Sequence, residues 1–109
     1  MKIAPFPFTI TNWAGIASEE NNGHTGKTIT QIFMMGEIRI RKVEYTAGYL
    51  ADHWCSKGHI IYCIEGAMQT ELEDGRIFNF SKGMTYHVGD QCEAHRSSSV
   101  NGCQLLIVD

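Results

Sequence analysis

The stretch ADHWCSKGHIIYCIEG, residues 51–66, sets two histidines and two of the chain's four cysteines between an acidic residue and a glycine. Imidazole nitrogen and thiolate sulfur are the donors that zinc and other late first-row metals prefer. In a β-strand, side chains at i and i+2 share a face about 7 Å apart, so His53 and Cys55 can converge on one ion while Trp54 turns away. His59 keeps that parity, but a straight strand would carry it about 13 Å from Cys55. The chain must therefore bend at Ser56-Lys57-Gly58, where the glycine permits it. His95, followed by Arg96 and a serine run, is the fourth candidate ligand. Three neutral imidazoles and one thiolate would leave a site for a divalent ion with a net charge of +1.

Two other readings of the same residues stay open. They can be core and loop residues with satisfied hydrogen bonds. Alternatively, Cys55 can be a nucleophile activated by His53 or His59, although no helix amino terminus is visible to lower its pKa. A zinc finger is disfavoured further, because no Cys-x-x-Cys pair exists.

The elements that must position these groups read as short strands. Candidates are 28–34, 37–46, 59–65, 67–73, 76–80, 84–88, 93–99 and 103–108, rich in β-branched and aromatic residues. Asp74-Gly75 and Asn101-Gly102 are dipeptides favoured in two-residue hairpin turns. The stretch SEENNGHTGKT reads as a surface loop, and the best helical turn lies around 12–20. So many short strands predict an all-β sandwich or barrel, its core drawn from Ile38, Ile40, Val43, Ile61, Leu72, Phe78, Phe80, Val88, Leu106 and Val108. Small barrels hold ligands in their mouths.

A chain of 109 residues is one domain. Its net charge of −3 offers no electrostatic footprint for nucleic acid or an anionic membrane. The amino terminus is broken by Pro5 and Pro7, lacks the apolar run of an export signal, and so predicts a cytoplasmic protein with reduced cysteines.

The residues around 48–66 resemble the first motif of the cupin superfamily, Gly-x5-His-x-His-x3,4-Glu-x6-Gly. Here it runs Gly48-x4-His53-x-Cys55-x3-His59-x6-Gly66. Within that superfamily, DHWC at Asp52–Cys55 is similar to the Asp-His-Cys-Trp (DHCW) motif of a small group of bacterial cupin-fold proteins. The second cupin motif is met more loosely, by Gly83-x5-Gly89, one extra residue, and His95-x3-Ser99. The resemblance implies a jelly-roll β-barrel of about six to eight antiparallel strands over residues 37–109, with residues 1–36 packing on it. It also implies one divalent transition metal held by His53, Cys55, His59 and His95. Cys55 replaces the second motif histidine and His59 the glutamate, which preserves ligand charge but softens the site towards zinc or iron.

Around this centre, Tyr86 rather than His87 is expected to face the cavity as an acid or hydrogen-bond donor. Asp52, Asp90 and Glu93, near the candidate ligands in sequence, are read as surface groups, or else as acceptors for the outer N–H of a ligating imidazole. Arg39 and Arg41 share a face with Val43 and Tyr45; it is read as solvated, and as a carboxylate-binding face if it lines the cavity. Cys63 is placed in the barrel wall, and Cys92 as an alternative sulfur ligand near His95. The functional expectation is a metal-dependent enzyme of oxygenase or isomerase type acting on a small molecule in the barrel mouth. The alternative is a non-enzymatic metal- or metabolite-binding module with a structural metal. A homodimer is expected, because closed symmetric dimers are the commonest oligomers.

Overall fold

In the computed structural model, which describes residues 2–109, antiparallel strands curl into a single-domain jelly roll. The strands are β1 (Glu19–Asn22), β2 (Lys27–Met35), β3 (Ile38–Tyr45), β4 (Tyr49–Leu50), β5 (His59–Leu72), β6 (Ile77–Ser81), β7 (Thr85–Val88), β8 (His95–Ser99) and β9 (Cys103–Val108). They pair in the order β1-β2-β3-β9-β5-β8-β4, with β6 and β7 also on β5.

The two predicted strands 59–65 and 67–73 are one strand, and it belongs to both sides of the barrel. Its first half, from His59, pairs β7 and β9; its second half, to Leu72, pairs β6 and β8. The ladder with β9 slips between Cys63 and Glu65, the kind of irregularity by which a strand turns a corner between sheets. Gly66 completes the corner at φ +79°, where a Cβ would lie 2.5 Å from the Gly102 carbonyl oxygen. Only glycine fits there without displacing backbone.

Inner positions alternate with outer ones. On β3 the inward set is Arg39, Arg41, Val43 and Tyr45; on β8 it is His95, Ser97 and Ser99. The β9 core residues are Cys103, Leu105 and Ile107 rather than the expected Leu106 and Val108, which are only half-buried. Leu105 and Cys63 are fully buried. Val43, Ile61, Leu72 and Phe80 fill the core as expected, whereas Ile38, Ile40 and Val88 are half-buried and Phe78 is exposed.

The loop expected over SEENNGHTGKT contains β1, which pairs with β2. Among the described residues the only helix is one 3-10 turn, Trp13–Gly15, capped by Asn12 Oδ1 accepting from the Ala14 N–H at 3.1 Å. Gln31 Nε2 on β2 donates to the carbonyls of Trp13 and Ile16, both at 2.7 Å, and Phe6 packs edge-on against Phe33. The amino-terminal segment is thus fastened to β2, while Phe8 and Ile10 project outwards.

Candidate metal centre

Cys55 and His95 face one another across an isolated antiparallel bridge. The Cys55 N–H donates to the His95 carbonyl at 2.8 Å, and the His95 N–H donates back at 2.9 Å. His59 enters from the first position of β5, beyond the bend at Ser56-Lys57-Gly58, and its Nε2 lies 3.4 Å from Cys55 Sγ. Gly58 is there for closeness: its N–H donates to Asp90 Oδ1 at 2.6 Å, and a Cβ would collide with the backbone of residues 88–90. Donor atoms of Cys55, His59 and His95 all lie within 4.8 Å of one another, and the three form a group that could hold a metal ion.

The outer partners of the two rings settle which nitrogens are free. His95 Nδ1 lies 2.9 Å from the Glu93 carbonyl oxygen, which can only accept, so Nδ1 carries the proton and Nε2 a lone pair. His59 Nδ1 lies 2.8 Å from Asp109 Oδ2 and likewise donates to it. Burial pushes the His59 pKa down, and the pull of Asp109 does not restore it, which favours the neutral ring that ligation requires. His95 is 3% exposed and its Nε2 has no hydrogen-bond partner. A buried polar atom left in that state costs about 1–3 kcal/mol, so this lone pair is an acceptor awaiting something. Bond lengths of about 2.3 Å to sulfur and about 2.0 Å to nitrogen in a tetrahedral site separate two ligands by about 3.5 Å, close to the Cys55–His59 spacing. The residues therefore fit a divalent transition ion.

Asp109 was not foreseen. It follows Ile107 at inward parity, and its side chain is wholly shielded from solvent. Arg39 Nε donates to Oδ1 at 2.8 Å and Arg39 Nη2 to Oδ2 at 3.1 Å, while Arg41 Nη2 donates to Oδ2 at 2.9 Å. Burial alone would raise its pKa; the Arg39 hydrogen bonds, the Arg41 charge and the His59 bond outweigh it and hold the carboxyl at about 2. The arginine pair, expected on a solvated face, instead lines the cavity and anchors this carboxylate. Two inward arginines on β3 were the signal that a counter-ion had to exist.

His53 lies outside the three-residue group. Its ring is 72% exposed at the rim, with Nδ1 2.6 Å from Asp52 Oδ1. Parity with Cys55 presupposed a strand through 53–55, but the chain bends at Asp52–His53. Cys92 is exposed and is also outside the group, while Cys63 is buried in the core; all four cysteines are free thiols. Asp52, Asp90 and Glu93 are exposed, as expected. Tyr86 lines the cavity and packs against the core, its ring 6.2 Å from that of His95, whereas His87 is exposed. Burial pushes the Tyr86 phenol up to about 12, leaving it a proton donor at neutral pH.

The cavity is about 620 Å³, the size of a small-molecule pocket. A jelly roll carrying a His/Cys cluster at its mouth belongs to one structural class: the chain has the cupin fold. No family model matches it, and no curated protein matches its sequence. Solved structures do. It superposes on an RmlC-like cupin from Shewanella frigidimarina with a TM-score of 0.74 at 18% identity, over 94% of this chain and 90% of that one. A protein described as a predicted oxalate decarboxylase, from Thermotoga maritima, matches with a TM-score of 0.77 at 14% identity, over 92% and 96%. The polyketide cyclase RemF from Streptomyces resistomycificus matches with 0.74 at 16% identity, over 94% and 78%.

Proposed function

We propose that this chain is a metal-dependent enzyme acting on a small molecule, with oxygenase or isomerase type chemistry, and that Cys55, His59 and His95 hold its one divalent ion. The observation that carries the reading is the unpartnered, buried Nε2 of His95 beside Cys55 Sγ and His59 Nε2. Two neutral imidazoles and a thiolate suit zinc or iron(II). Three protein ligands, rather than the four expected with His53, leave a coordination position open, which supports catalysis over a closed structural site. A bound ion would act there as a Lewis acid towards a substrate oxygen. Asp109 holds the His59 ring in its ligating tautomer, and Tyr86 offers a neutral O–H within the cavity. Fold relatives that are named as enzymes agree with this reading without specifying the reaction.

The test is metal content of protein purified without oxygen or chelator. One divalent ion per chain, lost in Cys55→Ala, supports the proposal; no metal in either protein overturns it. The four free thiols suit a reducing cytoplasm, and a homodimer would cover the exposed Phe8 and Ile10. A monomeric mass by light scattering would rule out that dimer.

A further inference from the structure

The donors around the cavity are not all spent on its inner side. Arg39 and Arg41 converge on the Asp109 side-chain carboxylate, whose oxygens already accept four hydrogen bonds from Arg39, Arg41 and His59. Arg39 spends its Nε and one Nη on that carboxylate, whereas Arg41 spends only one Nη. The Nε of Arg41 is buried and has no partner. Elsewhere on the lining, Arg96 is taken by Glu71 at 2.8 Å and lies over the Trp54 ring, and Asp52 is paired with His53 at the rim. Glu19 is exposed. Arg41 lines the cavity with its side chain 18% exposed, so an incompletely paired guanidinium borders the space.

We propose that the ligand of this cavity is a small organic acid whose carboxylate is bound by Arg41. A partly desolvated guanidinium with donors to spare is stabilised by an anionic acceptor far more than by water or a neutral amide. Position strengthens the assignment. Arg41 and His59 both donate to Asp109 Oδ2, so Arg41 lies two hydrogen bonds from the Cys55–His59–His95 group, and both line the same cavity. The other end of an acid held on Arg41 reaches the reacting centre while its carboxylate stays anchored. This deepens the metal-enzyme reading and rests on it for the placement of the reacting end, but the carboxylate site itself consists of protein groups alone.

The experiment is calorimetric titration of the full chain with lactate and malonate beside their neutral counterparts lactamide and malonamide, on samples of measured metal content. Wild type is expected to bind each acid at least about tenfold more tightly than its amide. Arg41→Gln should abolish that preference, and Arg41→Lys should restore part of it. Because Arg41 also supports Asp109, a second measurement avoids the variants: malonate should shift the Arg41 Nε–H resonance in wild-type protein. Equal binding of acids and amides, or an unmoved Arg41 resonance at saturating malonate, overturns the proposal. Cys55→Ala separates the two claims: acid preference surviving without metal supports the Arg41 site, and absence of metal from wild type counts against the metal reading alone.

Discussion

His53 and Cys55 stand two residues apart in one motif, yet they meet different fates. Cys55 is tied by two backbone hydrogen bonds to His95 and so delivers its sulfur to the cavity. His53 sits on the bend just before that bridge, exposed at the rim and bonded to its neighbour Asp52. Spacing proposes candidates; backbone pairing decides which of them meet. Burial draws the same contrast: His59 and His95 are buried, with their outer nitrogens held by Asp109 and the Glu93 carbonyl, whereas His53 and its partner Asp52 are both exposed.

The largest effect should come from breaking this contrast directly. His95→Ala is expected to lose metal altogether, whereas His53→Ala keeps wild-type content, as measured by plasma mass spectrometry. Equal loss in both would put His53 back among the ligands.

The next test concerns the register of β9. Leu105→Ala should destabilise the fold by about 2–5 kcal/mol in urea unfolding. Leu106→Ala, one residue along and half-buried, should cost less than about 1.5 kcal/mol. Comparable losses would mean that the inward face is misassigned.

Removing the anchor without touching a ligand should be milder for metal. Asp109→Asn keeps the shape of the side chain but loses the charge that orients His59, and metal affinity should fall about 10–100-fold in a chelator competition. Unchanged affinity would make Asp109 only a partner for the arginines.

The smallest effect is a matter of order. At pH 8 an aromatic disulfide reagent should modify exposed Cys92 in the native protein and Cys55 only after metal is removed. Cys63, raised by burial, and Cys103, pushed up by burial to about 11, should react only on unfolding. Early reaction of Cys103 would contradict the packed corner at Gly66.

What could be read from the sequence follows the same division. The grouping of Cys55, His59 and His95 was legible from donor chemistry and the cupin-motif resemblance, and the inward Tyr86 from strand parity. Asp109 was not, since a single carboxylate at the end of an apolar strand carries no pattern; only the inward arginines hinted at it. The face of β9 was misread because Leu105-Leu106-Ile107-Val108 is apolar on both sides, leaving Gln104 as the sole mark of the outer one. β1 was missed because Glu19–Asn22 is exposed on every residue and so shows no alternation. The barrel itself was legible from β-branched runs and the Asp74-Gly75 hairpin between β5 and β6, whereas Asn101-Gly102, expected in a hairpin turn, joins β8 to β9, which do not pair; the continuity of β5 through Gly66 depends on a close approach to Gly102 that no local pattern encodes.

The most direct test of the central claim is X-ray absorption at the metal edge of the wild-type protein. One sulfur, two imidazole nitrogens and a remaining light-atom donor from solvent would match the site described. Three imidazoles with one sulfur, or a metal without any sulfur ligand, would contradict it.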